Sequence, residues 1–180
     1  MKEKNASNLA NVGSLFASSI INPYLDRTSL LGKLLNRVTT GFYLSNIKNS
    51  FIDFEKLQFP SVAMSLYQEV HKAHNKRNKT ELFRLLSQPN YDIINHCHKY
   101  NLPLPFSLYA VPKSANIISA FITSEQGDNI DVNNFAHITL EMLMLDSEGK
   151  TKRQVNVFER RLDVKLLNAW KIALIEDADL

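Results

Sequence analysis

The sequence predicts an α+β fold in which helices cover one face of a curved antiparallel sheet, behind an N-terminal extension. Two observations carry this. From about residue 28 to residue 100 the apolar side chains recur at helical spacing; from residue 106 onward the spacing falls to two, the period of a strand. The chain has 180 residues, of which 44% are hydrophobic and 22% charged, enough for one core with an appended segment and too apolar for wholesale disorder.

The first predicted helix covers 28–48. Thr28 or Ser29 is placed to cap it, and Leu30, Leu31, Leu34, Leu35, Val38, Phe42 and Ile47 follow a helical period with Lys33, Arg37 and Lys48 off that stripe. A second helix opens at Phe59-Pro60-Ser61, where proline costs nothing in the first turn, and Val62, Ala63, Leu66, Tyr67 and Val70 form its expected buried stripe. Thr80 is the expected cap of a third helix carrying Leu82, Phe83, Leu85 and Leu86, stopped by Pro89. Tyr91, Ile93, Ile94 and Cys97 mark a fourth, ended by Asn101-Leu102-Pro103.

Strands are expected at 106–111, 116–122, 135–145, 152–162 and 167–175. The third is the clearest: Ala136, Ile138, Leu140, Met142 and Met144 share one face, opposite His137, Thr139 and Glu141. Residues 146–150 read as a hairpin loop, with Gly149 able to take a positive φ.

Composition excludes several chemistries. The five glycines, at 13, 32, 41, 127 and 149, are scattered, so neither a P-loop nor a GxGxxG turn is present. One cysteine, Cys97, excludes a disulfide framework and a CxxC motif, and suits a reducing compartment or one with few thiols. No apolar run is long enough for a spanning helix. His96-Cys97-His98 with His71 and His74 invites a zinc reading, but neighbouring residues on a helix diverge and no second ligand group completes four, so these histidines are expected on a solvated face. A nucleophile motif of the GxSxG type is missing, and the expected core face of the best strand is Met and Leu. No catalytic, cofactor-binding or metal-binding residue is assigned, and a non-enzymatic role is expected.

Charge is uneven. Residues 1–50 hold six basic and two acidic side chains, against 15 basic and 16 acidic in the rest. A basic lead before a near-neutral body points to an anionic partner, lipid head groups or nucleic acid. Residues 1–24, rich in Asn, Ser and Ala, are not a secretory signal, because Asn22-Pro23 interrupts the apolar run; they share the serine content and few acids of a transit peptide but have no arginine before Arg27, which leaves two expectations, a cleaved presequence already missing or an extended arm. Within the lead, Lys33, Leu34, Leu35, Arg37 and Lys48 are the expected contacts to membrane or RNA, although a helix docking on its own core shows the same stripe. In the body, the run 72–79 with Lys76 and Arg77, and the pair Arg160-Arg161, are candidates for phosphate or partner contact.

Three segments resemble a known family. Phe59-Pro60-Ser61-Val62-Ala63 leading to Tyr67-Gln68-Glu69-Val70-His71, then Lys79-Thr80-Glu81-Leu82-Phe83-Arg84-Leu85-Leu86, is similar to the helix pair of the Tim-type import-motor anchor and its relatives. Phe135-Ala136-His137-Ile138-Thr139-Leu140 resembles a strand of that family, and Val157-Phe158-Glu159-Arg160 followed by Trp170-Lys171-Ile172 resembles its late signature. The resemblance spans about residues 51–176 in matching order. It implies a cone-shaped domain like nuclear transport factor two over 51–180, after a basic tail and amphipathic helix over 1–50. It further implies the mitochondrial matrix, peripheral to the inner membrane. The family includes the import-motor anchor, a membrane receptor for mitoribosomes and a large-subunit mitoribosomal protein near the tunnel exit, and the helix pair is most similar to the last. The implied partners are mitoribosomal proteins, rRNA and anionic inner-membrane lipid. The alternative is the subunits of an inner-membrane import, respiratory or ATP synthase complex, with this chain as scaffold.

Overall fold

A computed structural model of the chain describes residues 30–126, 132–162 and 169–178. The expected tail over 1–24 and the start of the last expected strand lie outside the described residues. Among the described residues four helices, α1 (Leu30–Ser50), α2 (Phe59–Asn75), α3 (Lys79–Leu85) and α4 (Gln88–Tyr100), precede four strands, β1 (Val111–Gln126), β2 (Val132–Leu145), β3 (Thr151–Arg161) and β4 (Lys171–Ala178). The strands form one antiparallel sheet in the order β1-β2-β3-β4, so every neighbour in space is a neighbour in sequence. The fold is α+β with its helices on one sheet face.

Local chemistry explains the element ends. In α2, Pro60 sits in the first turn, as expected. The cap of α3 is Asn78 rather than Thr80: the Asn78 side chain accepts from Glu81 N at 3.2 Å, which draws the start of the helix forward. Leu86 is extended, so α3 ends before Pro89, and that proline lies instead in the first turn of α4. Asn101 closes α4 in the left-handed region at φ 52° and ψ 44° with its N–H on Cys97 O. Gly149, at φ 77°, turns the β2–β3 hairpin, whose loop is tied by Asp146 Oδ1 accepting from Glu148 N (2.9 Å) and Lys150 N (2.8 Å).

The core lies between the helices and one face of the sheet. Ala136, Ile138, Leu140, Met142 and Met144 are fully buried there, and Phe158, opposite Ile138 on β3, meets Phe59 at the start of α2. The α2 stripe runs through Phe59, Ala63, Tyr67, Val70 and Ala73. Val62, expected in that stripe, falls to one side of it and is 49% exposed. On the opposite sheet face His137, Thr139, Val155 and Val157 are buried too, so the middle of the sheet does not alternate between apolar and solvated.

The expected strand at 106–111 does not form. Its backbone donors are taken by side chains: Ser107 N donates to Asp177 Oδ2 (2.8 Å) and Tyr109 N to Tyr67 Oη (3.1 Å). The segment crosses the sheet end as a pinned connection, and the strand begins at Val111, with a bulge between Pro112 and Ser114 where proline removes a ladder donor.

Both sheet edges are partly covered. Asn36 of α1 donates its Nδ2 to Ile118 O (2.9 Å), at the second bulge of β1. On β4, Ile172 O accepts from Ser87 N (3.0 Å) and Asn90 Nδ2 (3.3 Å), at the α3–α4 junction.

Trp170 binds the parts together. Its ring centroid lies 4.8 Å from Phe59, 6.0 Å from Phe54 and 6.1 Å from Phe51. Truncating it leaves a cavity at the meeting point of α1, α2 and β4, so Trp170→Ala is expected to lower the unfolding free energy by about 3–5 kcal/mol. Urea denaturation checks this, and a loss below about 1 kcal/mol would contradict a core position.

Candidate interaction surfaces

α1 has two working faces. Inward, Leu44 and Ile47 are buried in the same core as α2 and the sheet, with Phe51 just beyond the helix end, and Tyr43 packs against them. The boundary expected at residue 50 therefore separates no independent core. Outward, Leu35, Val38 and Phe42 are 56%, 65% and 63% exposed, spaced by three and four residues along one side of the helix. Of the stripe read from sequence, Ile47 belongs to the core and these three to the surface. The side chains of Lys33 and Leu34 lie outside the described residues. Arg37 is exposed beside the apolar strip, and Lys48 is exposed and paired with Glu55 at 3.2 Å. Beyond α1, the connection to α2 exposes Ile52 fully and Leu57 to 90%.

The arginine pair Arg160-Arg161 divides. Arg160 is buried: its Nη1 donates to Asp53 Oδ2 (2.9 Å) and Oδ1 (3.2 Å), and its guanidinium lies 4.0 Å from the Phe51 ring centroid. This side chain fastens the α1–α2 connection to β3 and is not a surface contact, because Asp53 and Phe51 together occupy the charge and cover its plane. Arg161 is half-buried, 5.9 Å from the Phe135 ring. Lys76 and Arg77 are exposed in the turn between α2 and α3, where Arg77 has φ 50° and donates to Asn101 Oδ1 at 3.3 Å.

That contact belongs to a seam sequence reading missed. His74 on α2 and His98 on α4 stack, ring centroids 4.6 Å apart, with His98 Nε2 and His74 Nδ1 at 2.8 Å. One neutral imidazole donates and the other accepts. Burial lowers the pKa of both below the ordinary range, and neighbouring charge adds to this: His71 and Arg77 act on His74, and Arg77 and Lys79 on His98. The expectation that adjacent histidines diverge holds for His96, which faces Tyr100 instead. Only helix-to-helix register, invisible in one sequence, brings residues 24 positions apart together.

At the end of the sheet the polar groups serve one another. Gln154 Nε2 donates to Ser107 O and to Asp177 Oδ1, each at 2.8 Å, and Tyr67 Oη donates to Ser107 O at 3.4 Å. Burial raises the Tyr67 phenol above its ordinary range, so it stays a neutral donor. Among the described residues no three His, Cys, Asp or Glu side chains are grouped to hold a metal ion, and no helix is long and apolar enough to cross a membrane. No protein-family model matches this chain, and no curated protein matches it.

One buried titratable group sits apart, on the second sheet face. His137 stacks on Phe121 at 4.8 Å and shares a hydrogen bond with Thr123 Oγ1 at 2.9 Å, and burial lowers its pKa to about 4. Between about pH 6.5 and pH 4 the unfolded chain binds this proton and the folded one does not, so stability is full above that window and falls as the pH drops through it. The loss reaches up to about 3 kcal/mol for this residue. His137→Gln, compared with the parent chain by urea denaturation across that range, is expected to flatten the dependence. An unchanged slope would show that His137 does not control it.

Proposed function

We propose that this chain is a non-enzymatic scaffold that meets an anionic surface through the outer face of α1. The observation that carries the reading is the double character of that helix. Leu44 and Ile47 fix it to the core, while Leu35, Val38 and Phe42 stand in solvent on the other side beside the exposed Arg37. An apolar strip with adjacent cations is the arrangement for lying at a lipid interface: acyl contact beneath and phosphate attraction beside it. Burying a large apolar side chain contributes about 1.5–3 kcal/mol when complete, and each nearby cation on the order of 1 kcal/mol. Since the three side chains are already more than a third covered, the sum corresponds to weak, reversible attachment.

The finer reading rests on the sequence resemblance. In it the helices and sheet are a cone-shaped domain of the nuclear-transport-factor-two kind. The chain is then a component of the mitochondrial large ribosomal subunit near the tunnel exit, in the matrix, helping hold the ribosome at the inner membrane. Co-migration with the large subunit on sucrose gradients, after detergent and moderate salt, is the expected result. Absence from that peak, with recovery in an inner-membrane import, respiratory or ATP synthase complex, would replace this reading with that of a scaffold there.

The α1 surface is tested separately, by flotation of the full chain with anionic vesicles. Truncating the lead at residue 50 would remove Leu44 and Ile47 from the core, so point changes are preferable. Leu35→Ser, Val38→Ser and Phe42→Ser together are expected to abolish flotation while leaving the thermal transition nearly unchanged, because all three sites are more than half exposed. Undiminished flotation of the triple variant would show that α1 is not the contact.

A further inference from the structure

A second surface, at the far ends of α2 and α4, differs from α1 in chemistry. The turn between α2 and α3 exposes Lys76 and Arg77, with Lys79 opening α3, and the last turn of α4 exposes Lys99. The stacked His74–His98 pair and the Arg77–Asn101 hydrogen bond hold these two helix ends together, so cations from separate elements share one pole. Among the described residues none of these four cations is ion-paired.

Charge at helix C-termini also complements the helix dipole, and alone it identifies no ligand. The second observation does. Tyr100 is 55% exposed beside this cluster, its ring centroid 4.7 Å from that of the exposed His96, with Lys99 Nζ over the ring at 5.1 Å from its centroid. It is the large apolar residue exposed on these helix ends, and it is aromatic, whereas the strip on α1 includes Leu and Val. Stable attachment to a lipid surface takes several inserted apolar side chains, and among the described residues these helix ends expose Tyr100 alone, against three such side chains on α1. Flat rings set among cations that no carboxylate neutralises suit unstacked bases carried on a phosphate backbone.

We infer that the pole formed by the ends of α2 and α4 binds single-stranded RNA, with Lys76, Arg77, Lys79 and Lys99 on the phosphates and Tyr100 as a stacking platform for a base. This deepens the ribosomal reading and rests on it for the source of the RNA.

The test is fluorescence anisotropy of a short labelled oligouridine with the full chain over a range of salt concentrations. Tyr100→Ala is expected to weaken binding about tenfold, and Tyr100→Phe, which keeps the ring, to restore it. Lys76→Gln with Arg77→Asn is expected to lower the salt-dependence slope by roughly 0.7 for each cation removed. Asn tolerates the positive φ at position 77, and thermal melting checks that each variant keeps the fold. No oligouridine binding by the parent chain, or binding unchanged by all of these substitutions, overturns the inference. So does loss of vesicle flotation in the same variants with RNA binding intact, which would make the pole a lipid contact. A chain that co-sediments with the large subunit but ignores oligouridine overturns the pole and leaves the ribosomal reading standing. Binding through Tyr100 by a chain absent from the subunit peak does the reverse.

Discussion

The contact between Trp170 and Phe59 is the constraint on which the remaining architecture depends. Phe59 is the first residue of α2 and Trp170 immediately precedes β4, so a single ring pair at 4.8 Å fixes where the helical half of the chain enters and where the sheet closes. Phe51 and Phe54 add the end of α1 to the same cluster, and Phe158 adds β3. Aromatic rings suit this junction because each covers a large area and meets its neighbours edge to face, which sets angles as well as distances. Arg160 closes the cluster from the side, stacked on Phe51 and bonded to Asp53. A cation at this point spans ring and carboxylate at once, which no aliphatic side chain does.

At the other end of the sheet, polar groups have the equivalent task. Tyr67, Gln154 and Asp177 draw residues 107–109 across the strand ends, through backbone groups that a strand ladder would otherwise have used. Their hydrogen bonds depend on one another: Gln154 donates to both Ser107 O and Asp177, and Asp177 in turn accepts from Ser107 N. Removing Asp177 takes one of two acceptors from the fully buried Gln154 amide, so the network is sensitive to the loss of a member that is itself exposed.

The long-period features were legible in the sequence, and the cross-chain ones were not. The period-two run through Ala136, Ile138, Leu140, Met142 and Met144 places five fully buried residues correctly because alternation in a strand is set by backbone geometry alone. The helix breaks at Asn101 and the turn at Gly149 were visible for the same local reason. Residues 106–111 alternate as a strand does, yet the partners that take their donors, Tyr67 and Asp177, lie about 40 and 70 positions away. On α1, a stripe around one helix cannot reveal that Ile47 faces a core while Phe42 faces water, because that division depends on where β1 passes. Arg160 read as a surface charge for a similar reason: its partner Asp53 is 107 residues earlier. Leu35, Arg37, Lys76 and Arg77 are exposed, whereas the pairing of His74 with His98 required two helices to be packed first.

The two attachments of α1 have a mechanical meaning. Asn36 holds the helix to the β1 edge at Ile118, and Leu44 holds it to the core about 12 Å further along, at the α-helical rise of each residue. The exposed strip from Leu35 to Phe42 lies between and beside these two points. A force applied there is shared by both fastenings, so it does not concentrate on one hydrogen bond and peel the helix from its end. The helix can therefore transmit tension from its outer face into the longest strand of the sheet without first coming loose.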